Sequence, residues 1–203
     1  MRLLAAALSS IGGYVDAVGY LSLGGFFVSF MSGNSTRVGV GLGTASVGAL
    51  IALGLIATFV AGVAAGAWTA RRGSGRAVLR LVAVALVLAA ATATLHESHL
   101  AFALAAFAMG AVNSTFAHEG GLPVGLTYMT GTLVRIGQAL AAIPAGGHTL
   151  EWLPYALHWL ALIVGATLGT LAEQRLGLDA LWLGAVAMIV LALVAPLRQT
   201  QRA

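Results

Sequence analysis

Ser29-Phe30-Met31-Ser32-Gly33-Asn34-Ser35-Thr36-Arg37-Val38-Gly39-Val40-Gly41-Leu42 aligns without gaps to Thr127-Tyr128-Met129-Thr130-Gly131-Thr132-Leu133-Val134-Arg135-Ile136-Gly137-Gln138-Ala139-Leu140. Met, Gly, Arg, Gly and Leu coincide, and Ser/Thr and Phe/Tyr exchanges fill the places before the glycine. With one residue of slack, Gly13-Tyr14-Val15-Asp16-Ala17 meets Gly110-Ala111-Val112-Asn113-Ser114 upstream. Downstream, Gly62-x-x-x-Gly66 meets Gly165-x-x-x-Gly169. An arginine at the same offset from a matching Met-[Ser/Thr]-Gly, inside apolar sequence, makes chance a poor explanation. The chain repeats itself.

The surroundings of the repeat are those of a membrane. Of 203 residues, 60% are hydrophobic and 8% charged, where soluble domains run near half and about a quarter. Mean hydropathy is +0.97. That excludes a nucleic-acid-binding or disordered chain. The basic residues are ten arginines, with no Lys, so the high pI describes no basic surface. Cysteine is absent, which removes disulfides, thiol catalysis and Cys-built metal sites.

A bilayer core of roughly 30 Å needs about 20 apolar residues per helix. Charges and turn residues mark out six such runs, Leu3–Leu23, Val47–Ala70, Ala77–Leu95, His99–Ala117, Leu153–Ala172 and Ala180–Leu197. Phe26–Leu42 and Gly125–Ile143 are apolar too, but rich in Gly, Ser and Thr, with an arginine near the middle of each. They are either full crossings or broken, re-entrant ones. Arginines collect on the cytoplasmic side in short loops. Six spans with cytoplasmic N- and C-termini put Arg2, Arg71, Arg72, Arg76, Arg80, Arg198 and Arg202 inside and only Arg175 outside, Arg37 and Arg135 being intramembrane. Eight spans would place the Arg71–Arg80 cluster or both chain ends on the wrong side. The apolar N-terminus is read as a retained first helix, since no cleavage site leads into a soluble domain.

The fold expected is therefore an all-α integral membrane bundle of six transmembrane helices. It is one membrane domain of two three-helix repeats, about 1–98 and 99–203, each with a broken or re-entrant segment. An odd number of crossings per repeat inverts the second against the first, an arrangement common among secondary transporters, whose substrate sites lie near the midplane. The Gly-x-x-x-Gly pairs let helix backbones approach closely; a homodimer face is their alternative use.

Polar residues in these segments are the candidates for chemistry. Ser32, Gly33, Asn34, Ser35 and Thr36 suit a helix that breaks at the glycine and restarts on a capping side chain, with Arg37 in its first turn. Thr130, Gly131, Thr132 and Arg135 repeat this from the other side. Two helix N-termini and two guanidiniums converging at the midplane would make an anion site. The alternative is that each arginine pairs internally or snorkels. Asp16 would neutralise Arg37 or carry a coupling proton, and its repeat mate Asn113 keeps the shape without the charge. Tyr14, Tyr20, Phe30 and Tyr128 either line a cavity or pack. His96, His99 and His118 sit at span ends without a His-Glu-x-x-His pattern. No Gly-x-Ser-x-Gly elbow or intramembrane Ser/His pairing is evident, and His148, Glu151 and His158 look like boundary residues. An enzyme, a metal or a cofactor is not expected.

Gly13-Tyr14-Val15-Asp16-Ala17-Val18-Gly19-Tyr20 and Gly24-Gly25-Phe26-Phe27-Val28-Ser29-Phe30-Met31-Ser32-Gly33-Asn34 resemble the YoaK family of small bacterial membrane proteins. Its recurrent G-x-x-D-A, M-[ST]-G-N and M-T-G-T-L segments fall on Asp16, Met31–Asn34 and Met129–Leu133, with Ser32 where many members have Thr. The resemblance covers essentially the whole chain and implies a bacterial inner-membrane protein, but carries no substrate with it. The expected function is transport of a small solute, an anion by the two arginines, with the lipid bilayer as the other partner and no nucleic acid. The competing expectation is a non-transporting scaffold that binds a partner protein or lipid.

Overall fold

The computed structural model describes residues 2–96, 98–116 and 126–195. Their regular elements are all helical: α1 (Arg2–Ser22), α2 (Met31–Gly43), α3 (Gly48–Arg72), α4 (Gly75–Thr94), α5 (Ser98–Val112), α6 (Met129–Ala142), α7 (Leu153–Leu176) and α8 (Ala180–Val194). Short 3-10 turns follow α6 and α7. Helices α1, α3 and α4 and the stretch Leu153–Val194, which holds α7 and α8, are long and apolar enough to cross a membrane; α5 is a shorter apolar helix. The chain is a helical membrane bundle. Glu97, His118, Glu119, Arg198 and Arg202 lie outside the described residues.

Helices α2 and α6 have 13 and 14 residues. At 1.5 Å per residue each is about 20 Å long, too short to cross the hydrocarbon core alone. Both begin earlier than the glycine rule predicts. Their N-caps are Phe30 (φ −88°, ψ 78°) and Tyr128 (φ −86°, ψ 72°), neither aided by a side-chain cap. Ser32, Gly33, Asn34, Ser35 and Thr36 thus lie inside α2 rather than at a break, and Arg37 falls in its second turn. The physical reason is the aromatic ring at the cap. It folds back so closely that a Cβ on Gly33 would strike Phe30, and one on Gly131 would strike Tyr128. Glycine seats an aromatic in both copies; it does not interrupt the helix.

Helix α5 also departs from expectation, ending at Val112 where the hydropathy runs on to Ala117. Asn113, Ser114 and Thr115 bond three residues back, to Gly110, Ala111 and Val112, so the chain tightens out of the α-helix there. Side chains from α1, α4, α5 and α8 form the centre, among them Leu8, Val15, Leu79, Leu86, Phe102 and Met188, all essentially inaccessible.

Two helix crossings hold the bundle, and they match residue for residue. Where α1 meets α7, a Cβ on Gly13 would strike the Leu162 carbonyl, on Gly165 that of Ser10, and on Gly169 that of Tyr14. Where α5 meets α3, Gly110 faces Phe59, Gly62 faces Phe107 and Gly66 faces Ala111 in the same way. The Gly-x-x-x-Gly pairs thus pack within the chain, backbone on backbone, which small residues alone permit. Helix α4 packs on both α5 and α8. Arg76 at its start donates from Nη2 to Ala195 O (2.8 Å), a cation placed on the C-terminal end of α8.

Gly165→Leu should force α7 off α1 at a cost of about 3 kcal/mol or more. The readout is a melting temperature in detergent lowered by several degrees. Gly54, with nothing within 4 Å of its Cβ position, supplies the control: Gly54→Ala should be neutral or gain up to about 1 kcal/mol. Equal melting temperatures for both variants would refute the backbone contact.

Candidate solute site

The non-helical residues before α2 are pinned by two side chains. Asp16 Oδ1 accepts from the N–H groups of Val28 (2.8 Å) and Ser29 (2.9 Å), and its Oδ2 from the Ser29 hydroxyl (2.9 Å). Asn34, fully buried, closes a ring on Phe27: its Oδ1 accepts from the Phe27 N–H (3.1 Å) and its Nδ2 donates to the Phe27 carbonyl (2.6 Å). Backbone polar groups at membrane depth must find such partners. The second copy keeps the first of these supports, whereas Thr132, the mate of Asn34, turns back to Tyr128 O instead. Asn113 Oδ1 accepts from the N–H of Thr127 (3.3 Å), while Nδ2 reaches Met109 O (2.8 Å) and Thr127 Oγ1 (3.3 Å). Asp16 is therefore a brace for the turn. Its oxygens meet N–H and hydroxyl donors and not Arg37.

The two arginines differ in their surroundings. The Arg37 guanidinium stands 4.7 Å over the Phe26 ring and closes against Gly25, where φ is +90° and a Cβ would meet Nη2. Arg135 is exposed. Helix α2 packs on α3 and α6 on α7. The hydroxyls of Ser35 and Thr36 turn back to Met31 O and Ser32 O of their own helix, as Thr132 does, more loosely, to Tyr128 O. Ser32 and Thr130 are exposed.

Two cavities lie instead at opposite ends of the α1/α7 crossing. The larger, about 860 Å³, opens at the Arg2 end and is lined by Arg2, Asn113, Thr132, His148, Glu151 and His158 among apolar neighbours. The smaller, about 480 Å³, lies toward the Ser22 end, with Asp16, Tyr20, Phe27 and Thr170 in its wall. Between them α1 and α7 touch through their backbones at Ser10 with Gly165 and Gly13 with Leu162. Of the expected site residues, Asp16, Asn113 and Thr132 thus face cavities. Tyr20 lines one as well, whereas Tyr14 donates to Ala180 O (2.8 Å) across to α8.

The floor of the larger cavity holds a pairing that the sequence did not reveal. Ser9, fully buried, donates its hydroxyl to Leu126 O (3.0 Å), and the His158 Nε2 lies 2.9 Å from the same Oγ. The His158 Nδ1 is 3.3 Å from the same oxygen, so the imidazole edge faces Ser9. His148, Glu151 and His158 are thus cavity residues rather than plain boundary ones. A signal for this was present in the repeat itself: the mates of Ser9 and His158 are Ala106 and Leu55, both buried and apolar.

Comparison with known proteins supports both the class and the motifs. A family model described as a protein of unknown function, DUF1275, matches residues 4–194. The chain belongs to the DUF1275 family. A UPF0700 transmembrane protein of Rhizobium meliloti (strain 1021) is 40% identical over 189 residues, covering 93% of this chain and 83% of that one. The relative's description as a transmembrane protein agrees with the helical membrane bundle, and the membership with the resemblance to the YoaK family. No solved structure matches.

In this DUF1275 chain, Asp16→Ala should leave the Val28 and Ser29 N–H groups without a partner, at about 1–3 kcal/mol for each buried donor. Asp16→Asn, which copies what Asn113 does in the other half, should cost less than half of that. Unfolding in graded detergent denaturant measures both; an Asp16→Ala protein as stable as the parent would show that the turn does not depend on the brace.

Proposed function

We propose that this protein is a small-solute transporter of the bacterial inner membrane, with six spans and cytoplasmic N- and C-termini, working by alternating access. Its two halves, about 1–98 and 99–203, are related as inverted repeats. The observation that carries this is the doubled crossing: the first helix of each half packs on the third helix of the other, with glycines at matching places. Exchanging the halves reproduces these contacts, as a two-fold axis requires. The equivalent braces, Asp16 on Ser29 and Asn113 on Thr127, support the same relation. Transporters of this build hold their substrate near the midplane at the repeat interface, and the α1/α7 crossing with a cavity at each end is such an interface.

One observation favours the scaffold as the second reading. Asp16 and Asn34 are committed to backbone partners, which is what a rigid fold requires and a binding site does not. An enzyme is a weaker third. Ser9 and His158 are within hydrogen-bond distance, but no carboxylate is among the partners given for His158 to orient it as a base.

Topology and transport are tested separately. The cysteine-free chain accepts single cysteines, and Ser74→Cys should react with a membrane-impermeant maleimide from the cytoplasm only, Ser46→Cys from the periplasm only. Reaction of both from one side would end the six-span arrangement. Proteoliposomes given a panel of small organic and inorganic solutes should show flux above protein-free vesicles for at least one class. A sealed vesicle for every solute, with correctly inserted protein, would leave the scaffold.

A further inference from the structure

The repeat supplies a control that single-copy proteins lack, because each position in one half can be compared with its mate in the other. Asn113, the mate of Asp16, holds its turn as an amide. The brace therefore needs an acceptor and not a charge. Yet Asp16 is an acid within α1, and a carboxylate inside a membrane span is costly. Its three hydrogen-bond partners, the Val28 and Ser29 N–H groups and the Ser29 hydroxyl, are neutral donors. They complement a carboxylate without cancelling its charge. Two of them lie on Oδ1 and one on Oδ2. A carboxylate offers about four acceptor places, so one on Oδ2 is left for a further partner.

There is room for that partner. Asp16 lines the smaller cavity, about 480 Å³, a volume within the roughly 300–1,000 Å³ typical of small-molecule sites. The cavity is a trench between two stripes, Gly13, Asp16, Ala17 and Tyr20 on α1 and Leu162, Ala166 and Thr170 on α7. Every lining residue, with its neighbours in the chain, is among the described residues. The other crossing has larger side chains at these places. There Ser114 and Val63 stand for Ala17 and Ala166, and Phe59 for Leu162. The Ser114 hydroxyl donates to Val63 O (3.3 Å), a link that two alanines cannot make. On α7, Thr170 alone outgrows its mate, Ala67, and its hydroxyl turns back to Ala166 O.

The wall beside Asp16 is aromatic. Tyr20, one turn further along α1, and Phe27 have ring centroids 5.0 Å apart, and Phe30 meets Phe27 edge-on at 5.2 Å. Asp16 is the charged residue of the lining. Arg37 is turned to Phe26 and Gly25, outside it, and Glu173, one turn past Thr170, accepts from Ser22 (3.1 Å). A hard metal cation wants a shell of several oxygens. One carboxylate oxygen among aromatic rings instead suits an ammonium carried on an apolar body. We propose that this trench is the solute site and that it takes small organic ammonium ions, Asp16 Oδ2 meeting the charge and Tyr20 and Phe27 the body. This rests on the transport reading for its purpose, but the site is defined by binding alone. It makes the solute a cation where the paired arginines suggest an anion.

The test uses the full chain in phosphatidylcholine nanodiscs and direct calorimetry, with empty discs as the blank. Benzylamine and benzyltrimethylammonium are titrated beside neutral benzyl alcohol, anionic benzoate and sodium chloride. At least one of the two organic cations should bind, with benzyl alcohol and benzoate each about tenfold weaker or more. Asp16→Asn, which copies Asn113, keeps the brace, loses the charge and should weaken the cation about tenfold or more. Ser29→Ala does the opposite, loosening the brace while the carboxylate stays, and should bind at least as tightly as the parent. Ala166→Phe, which fills the trench from the α7 side, should abolish binding. Melting temperatures in the same discs show that each variant is folded. Failure of both cations to bind, equal affinity for benzyl alcohol, or undiminished binding by Asp16→Asn or Ala166→Phe would each overturn the site. So would a loss with Ser29→Ala as large as with Asp16→Asn, or sodium binding that Asp16→Asn removes, which would assign the trench to an inorganic cation. Binding without flux in the vesicle assay would remove transport and leave this site standing. Flux of other solutes with neither cation bound would do the reverse.

Discussion

The fold depends on helices brought close enough for their backbones to touch. A membrane offers two apolar helices no hydrophobic reason to associate, since lipid tails are as apolar as their side chains. Gly13, Gly165 and Gly169, with Gly110, Gly62 and Gly66 as their counterparts, remove the side chains that would hold the helices apart. Dispersion contacts between main chains then replace them. Two cavities open toward the ends of the α1/α7 crossing.

Within that frame, conserved geometry and diverged chemistry can be told apart. The brace is kept in both halves although one uses a carboxylate and the other an amide, because either oxygen accepts the N–H groups of the turn. Aromatic rings over Gly33 and Gly131 are likewise kept. The side chains along the crossings are not. One carries Phe59 and Phe107; the other has small and polar residues and a cavity toward each end.

Much of this was legible in the chain before any coordinates. Helices α1, α3 and α4 read directly as apolar runs bounded by charges, and the glycine pairs as packing surfaces. The paired motif identified the elements that repeat. It did not show what the motif residues do. An offset from Met-[Ser/Thr]-Gly locates Arg37 and Arg135 along the chain, but the direction in which each points is set by the helix its element packs on, α3 in one case and α7 in the other. Glycine reads as a helix breaker in sequence, whereas the ring three residues before it decides where α2 and α6 begin. His158 reads as an ordinary boundary residue in isolation; its partner lies 149 positions away, and no local pattern announces a contact over that distance.

The long span between α1 and its partner α7 also has a consequence for biogenesis. Asp16 finds the Ser29 hydroxyl within 13 positions, so the carboxylate is satisfied almost as soon as the first hairpin emerges. The glycine face of α1 has no such early partner. At ribosomal speeds of about 5–20 residues per second, roughly 7–30 seconds pass before α7 is made. During that interval lipid or the insertion machinery must cover the groove of the first helix, until α7 displaces it and α8, made last, packs on α4.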